Sequence, residues 1–237
     1  MKLNGFEQRV AVVTGAGRGI GRAIGTTLSA LGAQVAFADL APPTDLPEGA
    51  IGVAMDVTDE GSVDAGFAVV ESSLGPVDIV VLNAGVFRVE SLEDTSFESW
   101  RFTMAVNLDG PFLCCRRVLP GMRERGYGRI VAIGSSAGKT GGAKDVAAYA
   151  ASKAGVMTLM KSVASQYARA GITANALAPT LIDTEMIAGM ADLHESVPVG
   201  RLGRPQEVAD LVAYLASEHA GFITGEVVDI NGGFFID

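Results

Sequence analysis

Seven short apolar runs, most of them separated by longer helical stretches, constrain this chain more than any other feature. The runs lie at residues 10–13, 35–38, 51–54, 79–82, 130–133, 173–177 and 227–230. They are continuous and rich in β-branched residues, as strands buried on both faces are. Between them, residues 19–31, 62–73, 108–125, 149–169 and 205–217 read as helices. Strand–helix alternation of this kind predicts a right-handed parallel sheet with helices on both faces. The expected fold is therefore α/β: a doubly wound, Rossmann-type sheet of about seven strands, in one domain spanning 1–237. One link departs from the pattern. Three prolines fall between 42 and 47, so the connection after the second strand is expected to be a loop rather than a helix.

Composition removes several alternatives. Thirty glycines among 237 residues are an excess, but 49% of the chain is hydrophobic and the glycines lie among apolar runs. Disorder and collagen-like structure are excluded. A net charge of −9 opposes a phosphate backbone, and the arginines at 116, 117, 123, 125 and 129 are interrupted by Glu124. Nucleic acid is therefore not an expected partner. The uncharged run at 23–38 is too short and too polar for a bilayer, so no membrane partner is expected. The N-terminus has no apolar signal region, and Cys114 and Cys115 are adjacent. A cytoplasmic protein with reduced thiols is expected. His194 and His219 lack neighbours at ligand spacing, so no metal site is expected.

The first strand runs into Thr14-Gly15-Ala16-Gly17-Arg18-Gly19-Ile20-Gly21 and then into a helix. Glycines here let the backbone turn tightly against a pyrophosphate, and the helix N-terminus supplies free N–H groups. The GxGxxG spacing fails at Ile20; Gly15, Gly19 and Gly21 fit a GxxxGxG spacing instead. Asp39 ends the second strand, where a carboxylate can accept from both ribose hydroxyls and repel a 2′-phosphate. With Leu40 after it, Asp39 favours NAD over NADP; Arg18 is the counter-indication.

Tyr149 and Lys153 stand at i,i+4 spacing on a helix, so the ammonium is expected near the phenol. A positive charge ~4 Å away, at an effective dielectric of ~20, contributes ~4 kcal/mol. That is enough to bring a phenol from about 10 to about 7. Ser135 and Ser136 follow the fifth strand at the carboxyl edge, where a hydroxyl can bond a substrate oxygen. Asn107 lies in an expected helix, where its amide could hold a water.

Together these motifs resemble the short-chain dehydrogenase/reductase family over essentially the whole chain. The glycine turn is similar to that family's TGxxxGxG, and Asn83-Ala84-Gly85 to its NAG turn. Asp56-Val57 falls where the family contacts adenine, and Pro179, Thr180, Ile182 and Thr184 in its later cofactor segment. Gly225 near Asp229 fits its C-terminal segment. The resemblance implies an oxidoreductase in which Tyr149 is the general acid for reduction and the base for oxidation. It implies that Ser135 orients the carbonyl or hydroxyl, that Lys153 binds the nicotinamide ribose and lowers the Tyr149 pKa, and that Asn107 supports a relay water. It also implies a homotetramer.

Four departures stand out. Ser135 fits Ser-x-x-Gly with Gly138, whereas Ser136 gives the more usual distance to Tyr149; Ser135 is preferred, with one extra residue in the 139–146 loop. Leu82 replaces an Asn, Thr180 replaces a Gly, and the 42–47 loop shortens the adenosine wall. Substrate choice is expected in a lid at about 185–200, lined by Met186, Ile187, Met190 and Leu193. Val86, Phe87, Thr140, Gly141 and Lys144 are expected to complete the pocket. The expected substrate is a small apolar secondary alcohol or ketone. The alternatives are a 3-oxoacyl-(acyl-carrier-protein or CoA) reductase and a non-catalytic NAD-binding regulator.

Overall fold

A computed structural model describes residues 3–142, 144–187 and 191–236. Strands β1 (Val10–Thr14), β2 (Gln34–Asp39), β3 (Ile51–Ala54), β4 (Val77–Leu82), β5 (Gly128–Ile133), β6 (Ile172–Pro179) and β7 (Val227–Ile230) form one sheet. Its order is β3-β2-β1-β4-β5-β6-β7, and every pairing is parallel. The seven apolar runs are these seven strands, each one extended by at most a few residues. Alternate side chains feed two separate cores. Val12, Val80, Ile130 and Ala174 pack against helices α2 (Glu60–Ser73), α4 (Gly110–Arg125) and α6 (Ala147–Tyr167). Val13, Ile79, Val131 and Leu177 pack on the other face, against α1 (Gly19–Ala30) and α7 (Pro205–Ala216). The strand order reverses between β1 and β4, which opens a crevice at their carboxyl ends.

Local chemistry sets the helix ends. Asp59 caps α2 by accepting the Ser62 N–H at 2.6 Å. Pro111 opens α4, and Gly126 closes it in the left-handed conformation at φ 67°. The link from β2 to β3 is irregular, as its prolines require. Close approach of α1 to the sheet depends on Gly25, where a Cβ would lie 2.4 Å from Phe37 Cε1.

The structure departs from expectation ahead of α4. Helix α3 (Phe97–Met104) and a π-helical segment, Ala105–Asp109, precede it, so Asn107 sits in a π turn rather than a regular helix. Ser96 caps α3 by accepting the Ser99 N–H at 3.0 Å. The helix buries Ser99 and Thr103 and leaves Phe97 and Phe102 exposed. Its polar and apolar faces are thus reversed, which hides it from hydrophobic periodicity. The short helix α5 (Ala137–Thr140) was not expected either.

Cys114 and Cys115 are free and buried in the α4 face, and burial pushes the Cys114 thiol up to about 12 and Cys115 higher still. Among the described residues no helix is long and apolar enough to cross a membrane. Among them, too, no group of three or more His, Cys, Asp or Glu could hold a metal ion.

Phe37 is wholly buried and fills the space that Gly25 leaves. Phe37→Ala is expected to lower stability by about 3–5 kcal/mol in urea unfolding. A loss below about 1 kcal/mol would show that this contact does not join α1 to the sheet.

Candidate active site

The crevice is built on a strap between β1 and β4. Thr14 Oγ1 accepts from the Asn83 and Ala84 N–H groups at 3.0 and 3.1 Å and donates to the Val81 carbonyl at 3.3 Å. Asn83 Nδ2 donates to the Thr14 and Gly15 carbonyls at 3.0 and 2.9 Å. The Asn83 side chain therefore holds the glycine turn in shape. Gly15 and Gly19 have φ of 64° and 55°, which favours glycine at both. A Cβ on Gly21 would stand 2.3 Å from the Gly15 carbonyl oxygen. Arg18 is the N-cap of α1 but offers no side-chain cap, and the first turn carries no acid. The positive end of α1 is left open to an anion, as a dinucleotide pyrophosphate requires.

The neighbouring edge suits an adenosine. Asp39 Oδ2 accepts the Gly17 N–H at 2.9 Å, and Oδ1 accepts the Ala41 N–H at 3.3 Å. Leu40 beside it is exposed. Asp56 Oδ1 accepts the Thr58 N–H and hydroxyl at 2.9 and 2.7 Å, while Val57 is buried against Gly110. Arg18 reaches across the crevice to Glu185, with Nη1 2.7 Å from Oε2.

At the carboxyl end of β5, Ser135 hydrogen bonds the Tyr149 phenol. The Ser136 N–H instead donates to the Pro179 carbonyl at 3.1 Å, and its own carbonyl accepts the Thr140 hydroxyl at 3.1 Å. Ser135 is thus the serine that meets Tyr149, a choice spacing left open. Burial of the phenol raises the Tyr149 pKa above its ordinary value, and the Ser135 hydrogen bond opposes that rise. Lys153 is buried on α6, and its Nζ donates to the Ile133 carbonyl at 2.7 Å. Burial brings its pKa down to about 8. The ammonium lies 5.7 Å from the Tyr149 ring centroid. The Lys153 ammonium therefore lies beside the Tyr149 ring while tied to the strand, and burial shifts the phenol upwards.

Asn107 is fully engaged. Its Oδ1 accepts the Val86 N–H at 2.8 Å, and its Nδ2 donates to the Val86 carbonyl and to Ser152 Oγ, each at 3.0 Å. Ser152 Oγ donates to the Tyr149 carbonyl at 2.7 Å, so Asn107 and α6 are locked together. Gly85 makes room for both, since a Cβ there would lie 3.3 Å from Asn107 Oδ1 and 3.4 Å from Lys153 Nζ. Phe87 packs edge-on against Tyr149 at 4.9 Å and 82°.

Pro179 ends β6, and the Thr180 N–H donates to the Ile230 carbonyl at 3.2 Å. Ile182 is buried and packs over Gly203, so its side chain belongs to the core. Thr184 lies over the glycine turn, its methyl 3.6 Å from the place of a Gly19 Cβ. In the segment expected to be a lid, Glu185–Ile187 and Ala191–Ser196 are 3-10 turns, with Met186 and Leu193 exposed. Met190 lies outside the described residues. Lys144 is exposed and 4.0 Å from Asp145.

A family model described as enoyl-(acyl carrier protein) reductase matches residues 15–235. The chain belongs to the short-chain dehydrogenase/reductase family. It is 39% identical to 3-oxoacyl-[acyl-carrier-protein] reductase FabG of Escherichia coli (strain K12), across 98% of this chain and 99% of that protein. It is 43% identical to acetoacetyl-CoA reductase of Synechocystis sp. (strain ATCC 27184 / PCC 6803 / Kazusa), across 96% and 97%. The crystal structure of a 3-ketoacyl-(acyl-carrier-protein) reductase from Brucella melitensis complexed with NADH superposes with a TM-score of 0.94. The identity there is 30%, over 98% of this chain and all of that one. As a short-chain dehydrogenase/reductase, the chain is an NAD(P)-binding oxidoreductase acting on CH–OH/C=O groups.

Sequence reasoning missed three parts of this family site. Thr14 precedes the first glycine, and its strand-end position was signal enough to find it. Ser152 lies three residues after Tyr149, on the same helical face. The Ile133 carbonyl, a backbone group, leaves no mark in sequence. The buried Lys153 generates a prediction. Its pKa falls from 10.5 unfolded to about 8 folded, so below about pH 8 the fold holds a charged amine at a cost. That cost is relieved as pH rises from about 8 to 10.5. The stability of wild type relative to Lys153→Met is expected to rise over that interval in urea unfolding; a flat or falling difference would contradict it.

Proposed function

We propose that the chain reduces the 3-oxo group of an acyl thioester to a 3-hydroxyl, with NADH as the preferred cofactor. The carrying observation is that Tyr149 and Ser135 meet at the carboxyl end of β5, with the Lys153 ammonium beside them, where both hydroxyls can reach one ketone oxygen. In reduction the Tyr149 phenol is the proton donor. The relatives named above act on 3-oxoacyl thioesters by their names, and this supports that substrate class over the small secondary alcohol expected from the apolar lid. The Asp39 carboxylate supports NADH, because it offers acceptors to ribose hydroxyls and repels a 2′-phosphate.

The dinucleotide, when bound, supplies the hydride that adds to the carbonyl carbon. Gly15, Gly19 and Gly21 with the α1 N-terminus would hold its pyrophosphate, and Asp39 its adenosine ribose. Ser135 and Tyr149 donate hydrogen bonds to the ketone oxygen and set its orientation. As the oxygen becomes an alkoxide, Tyr149 passes its phenolic proton to it and becomes a tyrosinate. Lys153, held by the Ile133 carbonyl, is the cation beside that tyrosinate and favours its formation. Asn107 and Ser152 fix the start of α6 and so the aim of Tyr149.

Acetoacetyl-CoA with NADH, followed by the loss of NADH absorbance, tests this reading. Turnover is expected, and Tyr149→Phe is expected to reduce kcat by about 10²–10⁴-fold. Turnover of simple 2-alkanones with none of acetoacetyl-CoA would return the substrate to the secondary-alcohol class. NADH binding without turnover of any ketone, unchanged by Tyr149→Phe, would favour a regulator.

A further inference from the structure

The glycine turn carries a contradiction. Asp39 repels a 2′-phosphate, yet Arg18 stands one residue from Gly17, whose N–H Asp39 accepts at 2.9 Å. A free guanidinium there would attract the phosphate that Asp39 rejects. Arg18 is not free: its Nη1 donates to Glu185 Oε2 at 2.7 Å. Arg22, one helical turn further, is also engaged, pairing with Asp45 of the proline-rich loop at 3.2 Å and lying over the Phe37 ring at 5.3 Å. Each arginine on this edge therefore carries a carboxylate.

We propose that Glu185 is a specificity residue for the cofactor, and that it acts by occupying Arg18. The inference rests on the NADH reading and deepens it. Glu185 is placed for the task, because Thr184 before it sits over Gly19 and brings the start of the lid onto the glycine turn. Asp39, Glu185 and Arg18 together present two carboxylates and one guanidinium. A ribose 2′-hydroxyl needs only the Asp39 carboxylate and leaves the Arg18–Glu185 pair intact. A 2′-phosphate must either pull Arg18 from Glu185 or sit beside a second carboxylate. The pair is exposed, with 80% and 73% of the two side chains accessible, so its effect on stability is small. Its consequence is for selectivity, where one charge near a dianionic phosphate changes affinity several-fold.

Equilibrium titrations of the intact protein with NADH, NADPH, 5′-AMP and 2′,5′-ADP test this, using wild type, Glu185→Gln, Arg18→Met and the double variant. Glu185→Gln is expected to shift the NADPH-to-NADH affinity ratio toward NADPH by about three- to tenfold. The 2′,5′-ADP-to-5′-AMP ratio is expected to move alike, and both shifts are expected to vanish in the Arg18→Met background. Ratios within about twofold of wild type in Glu185→Gln would overturn the proposal. So would an equal shift with Arg18 absent, because Glu185 would then act by another route. Tighter NADPH than NADH binding in wild type would overturn the Asp39 reading alone, since the four-variant comparison still measures what Glu185 does through Arg18.

Discussion

One hydrogen bond organises the reactive end of this protein: Lys153 Nζ to the Ile133 carbonyl, at 2.7 Å. It runs from α6 to the last residue of β5, two positions before Ser135. A buried ammonium needs an acceptor, and the end of a parallel strand supplies a carbonyl that the ladder no longer uses. Meeting that need fixes α6 against the sheet, and Tyr149, one turn earlier on α6, is brought to Ser135. Asn107 and Ser152 repeat the attachment from the π turn. The tyrosine, serine and lysine are thus consequences of one docking geometry.

That geometry depends in turn on the parallel sheet. Because every strand runs the same way, the carboxyl ends of β1, β2, β4, β5 and β6 lie on one edge. Thr14, Asp39, Asn83, Ser135 and Pro179 arrive there from distant parts of the chain. Two cores pack the faces of the sheet behind this edge, and the open N-terminus of α1 makes it attractive to an anion.

Much of this was legible in the sequence, for physical reasons that differ by element. Strands buried on both faces need continuous apolar runs, so all seven could be read. The glycine turn was legible because positive φ and close backbone approach admit little else. Helix α3 was not, because it buries Ser99 and Thr103 while its phenylalanines face outward. Spacing could not choose between Ser135 and Ser136; the Pro179 carbonyl, which takes the Ser136 N–H, makes the difference. Spacing also placed Lys153 near Tyr149 but could not show the Ile133 carbonyl that holds the ammonium. Helical proximity says nothing of a competing acceptor on the strand or of what burial does to each group. The family follows from residues 15–235 as a whole, whereas the segment at 185–200, where substrate choice is expected, carries little pattern.

The charge of the buried amine is open to a direct measurement. Lys153 is a cation at neutral pH but has a pKa of only about 8. In the proposed reaction that cation supports the tyrosinate formed when Tyr149 gives up its proton. The pH profile of kcat for acetoacetyl-CoA reduction, from about pH 6 to about pH 10, compares wild type with Lys153→Arg, whose charge does not titrate in that range. Wild-type kcat is expected to fall as pH rises through about 8, with this limb absent from whatever activity Lys153→Arg retains. A wild-type kcat that stays level to about pH 10, or the same falling limb in Lys153→Arg, would contradict the role given to this buried amine.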